Sequence, residues 1–160
     1  MIDDKVKAVL LAAVIVMGLM TAGQYWLEHR VVEPFSELGV LGPDQLLGDY
    51  SSNVTAGQNV TLYGYIGNHE GAVTYYDLRV KLGNLTTVVN GTVWVDAPSV
   101  ADFRAVLRDG QNSTFPVVLS FPQPANGTKI IFELWELDTS SGSFLYSGLW
   151  GQIILNVTAS

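Results

Sequence analysis

The sequence predicts an all-β domain, an immunoglobulin-like antiparallel β-sandwich, preceded by one N-terminal α-helix that crosses a membrane or packs in a filament core. Three observations predict it. One long apolar run occupies residues 8–27, and no second one follows. Beyond it, segments rich in β-branched and aromatic residues recur at short spacing, several alternating apolar with polar positions. Between them stand Asn-Gly, Asp-Gly and Ser-Gly pairs, which punctuate strands rather than cap helices.

The run from Ala8 to Leu27, AVLLAAVIVMGLMTAGQYWL, carries no ionisable side chain except the phenol of Tyr25. Twenty helical residues rise about 30 Å, the thickness of a bilayer core. Tyr25 and Trp26 stand where amphipathic rings favour the headgroup level, and Glu28-His29-Arg30 returns the chain to water. Lys5 and Lys7 precede the run, so the positive-inside tendency assigns residues 1–7 to the cytoplasm and the rest to the exterior. A signal peptide cut near Thr21-Ala22-Gly23 and a pilin-type leader processed near Lys7-Ala8 are the rival readings; a retained single-pass anchor is expected.

Residues 28–49 read as a linker. Pro34, Gly39, Gly42-Pro43 and Gly48 argue against a continuing helix, with Phe35, Leu38, Val40 and Leu41 packing on the base of the domain. The sandwich is then expected over 50–160. Asn59–Gly67 alternates, with Val60, Leu62, Gly64 and Ile66 on one face. Tyr75–Leu82 repeats this, turning Tyr76, Leu78, Val80 and Leu82 inward and Asp77, Arg79 and Lys81 outward. LTTVV and TVWV flank Asn90-Gly91 as a hairpin, Asp109-Gly110 marks the next turn, and Asn126-Gly127 precedes KIIFELWEL. Residues 138–142 join that strand to the last one, in which Gly148 and Gly151 suggest a bulge. Ile130–Leu137 does not alternate cleanly. It is either a central strand covered on both sides or a strand whose outer face another chain covers.

Charge narrows the function classes. Beyond Arg30, twelve acidic side chains face five basic ones, which disfavours nucleic acid and suits a solvated exterior domain. Cysteine is absent, so the fold rests on its apolar core rather than on disulfides.

One motif is strong. Seven of the eight asparagines begin Asn-x-Thr triplets: Asn53, Asn59, Asn84, Asn90, Asn112, Asn126 and Asn156. With eleven threonines in 160 residues, chance would supply about half of one such triplet. None has proline in the middle, and all lie on the side expected to face outward. N-glycosylation of several is expected, Asn156 least so because it stands close to the end of the sequence. Covalent glycans are the only attached groups expected, and no cofactor is.

Catalytic patterns are weak. His69-Glu70 lacks the second histidine of a zinc-protease helix, and one His with one carboxylate does not fill a metal site. There is no nucleophile elbow and no phosphate loop. Glu133 and Glu136 lie on opposite faces of one strand. Asp138-Thr-Ser-Ser-Gly imitates a calcium loop poorly, leaving at most loose calcium binding by an acidic exterior. Tyr63 and Tyr65 either stack on a sugar ligand, pair across strands or lie beneath the chain's own glycans.

A series of short motifs carries a family resemblance: Phe35, Leu41-Gly42-Pro43, Asp49-Tyr50, Gly57 before a strand, Gly67-Asn68-His69-Glu70, then a Tyr-rich strand. In this order they resemble an archaeal domain-of-unknown-function family, number 1616, best from Phe35 to Leu82 and more loosely from Phe132 to Val157. The resemblance implies a membrane-anchored extracytoplasmic β-sandwich and no known activity. Its Asn-His-Glu signature falls on Asn68, His69 and Glu70, with no role attached, and by composition the triplet reads as a turn that bonds its own backbone. The function expected is thus a non-enzymatic cell-surface module that packs against like subunits or other envelope proteins. Alternatives are a filament subunit, an accessory subunit of a larger membrane complex, and a carbohydrate- or calcium-binding receptor.

Overall fold

The computed structural model describes residues 3–28 and 33–159, apart from the side chains of Lys5, Lys7, Ala8, Leu10 and Glu28. The chain forms two compact units, one up to Glu33 and one from Pro34 onward. The first is helix α1, Asp4–Glu28, with Asp4 in its first turn, where a negative charge suits the helix dipole. Its 25 residues rise about 37 Å. Leu, Met and Ala favour the helix, and the β-branched run Val14-Ile15-Val16 is carried by its neighbours. The hydroxyl of Thr21 donates to the carbonyl of Met17 at 2.9 Å, so this polar group is satisfied within the helix itself. Val9, Leu11, Val14, Ile15, Val16, Met17, Leu19 and Met20 are all exposed. Among the described residues, no helix is both long and apolar enough to cross a membrane. Thr21, Gly23, Gln24 and Tyr25 dilute the second half of the expected span. The return to water at His29-Arg30 and the side chains of Lys5 and Lys7 lie outside the described residues.

The second unit is a β-sandwich of eight strands: β1 Phe35–Leu41, β2 Asn53–Thr55, β3 Asn59–His69, β4 Thr74–Gly83, β5 Ser99–Leu107, β6 Asn112–Ser120, β7 Ala125–Asp138 and β8 Ser143–Thr158. One sheet runs β1-β3-β6 and the other β2-β8-β7-β4-β5. All pairings are antiparallel except that short β2 lies parallel to β8. The alternation of β3 turns Val60, Leu62 and Ile66 inward, as expected. They meet Tyr76, Leu78 and Val80 of β4, Ile130, Phe132 and Leu134 of β7, and Leu155 and Val157 of β8. Each such side chain, fully buried, contributes about 1.5–3 kcal/mol, and no disulfide supplements them.

Three expectations are corrected. Residues 35–41 are a strand of the small sheet rather than a linker. Pro34 and Gly42 bound the strand, and Gly39 packs on the Tyr65 side chain of its partner. Residues 84–98 form no hairpin. Asn90 and Val93 exchange backbone bonds of 2.9 and 3.3 Å in a tight turn, but no strands extend from it. This segment instead lies over the outer face of the large sheet. Asn126-Gly127 is a bulge inside β7, where the register with β8 shifts and Gly127 takes φ +64°. The other turns stand as read, at Asp109-Gly110, at residues 138–142 and at Gly148 (φ +84°) within β8.

The covering segment also resolves the irregular strand. Ile131 of β7 is fully buried beneath Val89 and Val95, so its outer face is covered by this chain's own loop and not by another molecule. Asp77 and Lys81, read as outward, are also buried on this face, Lys81 against Val95 of the covering loop and Asp77 beside Arg79 and Arg104.

Candidate functional site

The seven sequon asparagines are all exposed, whereas Asn68, the one asparagine outside a sequon, is 0% exposed. They sit on different supports. Asn53 lies on the edge strand β2, opposite Asn156 of β8, and the amide of Asn156 donates to Asn53 Oδ1 at 3.3 Å. The backbone N–H of Gly127 donates to Asn156 Oδ1 at 3.0 Å, so both the nitrogen and the oxygen of the Asn156 amide are bonded. Asn59 opens β3, Asn112 opens the edge strand β6, and Asn126 stands at the β7 bulge. Asn84 and Asn90 lie in the covering loop. In both, the sequon hydroxyl turns back onto the asparagine: Thr86 Oγ1 donates to Asn84 Oδ1 at 2.7 Å, and Thr92 Oγ1 to Asn90 Oδ1 at 3.0 Å. These bonds engage the amide oxygen of each asparagine and not its nitrogen.

The Asn68-His69-Glu70 turn is a structural joint. Asn68 Nδ2 donates to the carbonyls of Ala72 and Leu107 at 2.8 and 2.7 Å, and its Oδ1 accepts from Glu70 N at 2.9 Å. Its backbone pairs with Gln111 and Gly110, so one buried amide ties the β3–β4 turn to the β5–β6 turn. His69 stacks on Phe35 with centroids 4.7 Å apart, and its Nε2 lies 3.6 Å from Glu37. Glu70 accepts from Ser36 Oγ at 2.7 Å. Each residue of the triplet thus holds a neighbouring strand, beyond the expected bond within the turn.

Sequence reasoning missed the most tightly built polar group. Lys81 Nζ and Glu133 Oε2 lie 3.0 Å apart, with side chains only 6% and 0% exposed. Both grip the covering loop through Val95: Lys81 donates to its carbonyl at 2.6 Å, and its N–H donates to Glu133 Oε1 at 2.6 Å. Trp135 Nε1 adds a 3.2 Å bond to Glu133 Oε2, and Arg79 lies 4.0 Å over the Trp135 ring. Trp94 then packs edge-on against Trp135 and Tyr146, at 5.7 and 6.2 Å. Tyr146 donates to the Asn90 carbonyl at 2.8 Å; burial first, and then Glu133, push its phenol up to about 12. The available signal was the broken alternation of Ile130–Leu137, where Ile131 and Trp135 share a face with Glu133, opposite the outward Lys81 of β4.

Beside this group, Asp77 accepts from Arg79 at 3.0 Å, and Arg104 lies 3.5 Å from its other oxygen. Among the expected carboxylates, Glu133 and Glu136 do lie on opposite faces. Burial raises the carboxyl of Glu136, and Glu70 nearby adds to the rise, against a bond from Ser36. Asp138 is held down to about 2 by bonds from Ser141 and Ser140, so its oxygens are engaged by its own loop. Among the described residues, no three His, Cys, Asp or Glu are placed to share a metal. Tyr65 pairs across strands, donating to Glu37 at 3.3 Å.

A family of proteins containing a domain of unknown function, DUF1616, matches residues 30–144. The chain belongs to the DUF1616 family. The matched span includes β1 and stops at the start of β8, so the looser match through Val157 lies partly outside it. No curated protein matches the chain. Solved structures are similar to the chain at low identity. A chain of the human seminal-plasma complex of zinc 2-glycoprotein with prolactin-inducible protein is 9% identical, over 81% of this chain and 99% of that one, with a TM-score of 0.51. The CARDB domain of a Pyrococcus furiosus protein, solved with di-metal ions, is 11% identical over 79% and 90%, with a TM-score of 0.48. A Listeria innocua beta-glucosidase bound to glucose is 13% identical over 78% of this chain, with a TM-score of 0.46; the DUF1616 chain spans 16% of that enzyme's length.

Proposed function

We propose that this DUF1616 protein is a non-enzymatic, N-glycosylated surface module of the archaeal envelope, held by its N-terminal helix with the sandwich outside. The observation that carries the reading is the partition of asparagines: seven sequon side chains exposed, and the one non-sequon side chain buried. Acceptor chemistry needs an accessible amide, and glycans on a folded domain need solvent around them. Helix α1, although not apolar enough along its length for a full span, favours the anchor through its exposed apolar first half. Residues 14–17 are apolar without interruption, so apolar side chains face every direction and call for an apolar surrounding. A bilayer meets that need, and so does a fibre core, which keeps the filament subunit as the second reading.

The spread of sequons over the sheet edges supports a division into blocked and open edges. Strands β2 and β6 are edges that carry Asn53 and Asn112, whose sugars block strand addition. Edges β1 and β5 carry no sequon, so contacts with like subunits or other envelope proteins fall there. The test is extraction from native membranes in mild detergent, followed by intact mass. A mass well above the 17.4 kDa of the bare chain, with a partner co-purifying, is the expected result. A bare monomer of 17.4 kDa recovered without detergent would overturn both the glycoprotein and the anchor.

A further inference from the structure

Next to Asn90 the covering loop holds a shallow cavity of about 450 Å³, lined by Thr92, Val93, Trp94 and Asp96. Trp94 is 48% exposed, yet its ring is fixed from behind by Trp135 and Tyr146. The next residue, Val95, is bonded to the buried Lys81–Glu133 pair through both its N–H and its carbonyl. The indole is therefore a rigid platform that presents an apolar face to solvent. An exposed carboxylate, Asp96, stands at its rim. An electron-rich ring beside a hydrogen-bond acceptor is the chemistry that receives a pyranose, whose C–H face lies on the ring while its hydroxyls reach the acid.

We propose that the first sugars of the glycan carried by Asn90 lie on the Trp94 ring in this cavity. The inference rests on the reading that Asn90 is glycosylated. What selects this occupant over a free saccharide is the tether. Asn90 Oδ1 is bonded to Thr92 Oγ1, Thr92 N and Val93 N at 3.0, 2.9 and 2.9 Å, which fixes the acceptor amide against two residues of the cavity wall. A sugar attached there has a local concentration in the millimolar range or above, so a stacking contact with a dissociation constant of about a millimolar is occupied about half of the time or more, although it would not capture dilute free sugar. The covered tryptophan would in turn add protection to the loop over Ile131.

Trypsin releases Leu82–Arg104 as one peptide, because no Lys or Arg lies between Lys81 and Arg104. That peptide contains Asn84, Asn90 and Trp94, so occupancy at each asparagine and oxidation of the indole are read on the same molecule. Full-length native protein is exposed to hydroxyl radicals while folded, then digested and mapped. The expected result is that Trp94 oxidises about two- to threefold more slowly in peptides carrying sugar at Asn90 than in peptides bare there. Sugar at Asn84 alone leaves the rate unchanged. A Thr92→Val variant removes the acceptor sequence while keeping the backbone bonds to Asn90 Oδ1, and gives the unprotected rate with Trp135 still protected. Should Trp135 oxidise faster in that variant, the loop has opened, and the comparison rests on the native glycoforms alone. Equal Trp94 rates with sugar present at Asn90 overturn the docking but leave the glycoprotein reading intact. A bare Asn90 in every native molecule overturns the glycosylation at that site and the docking with it.

Discussion

Replacing Lys81 by Met should destabilise the sandwich far more than a surface change, because it leaves a charge buried without its partner. The magnitude follows from the geometry. Unit charges 3.0 Å apart attract by about 5–6 kcal/mol at an effective dielectric constant near 20. Losing one member of such a buried pair costs about 3–5 kcal/mol. Lys81→Met also removes the bond to the Val95 carbonyl, whereas Glu133→Gln keeps an acceptor for the Val95 N–H. The Lys81→Met/Glu133→Gln double variant leaves neither member of the pair buried and charged without its partner, so it should be more stable than the Lys81→Met single. Thermal unfolding of the full chain in detergent reads this, with each single lowering Tm by on the order of 10 °C. Hydrogen exchange across residues 84–98 should rise in both singles, since Val95 is the loop's anchor. Single effects below about 1 kcal/mol, or a double variant equal to the sum of the singles within about 0.5 kcal/mol, would refute the claim that this pair holds the loop down.

Three further outcomes follow from the same packing. Asn68→Ala should cost roughly 2–4 kcal/mol, since Ala72 O, Leu107 O and Glu70 N lose their partner. Asn68→Asp should not rescue it, because a carboxylate accepts from Glu70 but donates to neither carbonyl; denaturant midpoints of the two variants check this. Gly127→Ala should cost at least about 1 kcal/mol, because its φ of +64° disfavours any side chain and the new methyl meets Leu85. Its signature is faster exchange in the covering loop. Glu136 has a folded pKa raised by burial above its unfolded value, so its protonated form favours the fold. That contribution is fully present below the unfolded value and is lost as pH rises through the folded one. Glu136→Gln should therefore raise Tm at pH 7 and leave it nearly unchanged at pH 4, and a Tm gain equal at both pH values would contradict the assignment.

Local pattern was enough wherever one face of a strand meets the core and the other meets water. In β3, alternation alone places Val60, Leu62 and Ile66 inside. Asp109-Gly110 and the 138–142 turn were equally legible, because a turn residue between two apolar runs has few alternatives. The sequence misled where a segment's partner is distant. Residues 84–98 have the composition of a hairpin, with β-branched residues on both sides of Asn90-Gly91. They are drawn away from pairing by Ile131, Trp135 and the Lys81–Glu133 pair, a surface that could not be left wet. That surface is assembled from β4 and β7, some 50 residues apart, so no local window contains it. Strand β1 was hidden for a simpler reason. Its glycine and flanking proline read as breakers, although Gly39 sits mid-strand against Tyr65 and Pro34 only starts the strand. Of the candidate site residues, the exposed asparagines were legible from the triplets alone. The structural work of Asn68 was not, because its bonds run to Leu107 and Ala72 across turns that the sequence leaves apart.

The most direct test of the central claim is a site-resolved glycopeptide map of protein purified from its native source. The account predicts sugar on several of the exposed asparagines, with Asn84 and Asn90 occupied and Asn156 least, since its amide is spent on Asn53 and Gly127. It predicts none on Asn68. Seven bare asparagines would contradict it.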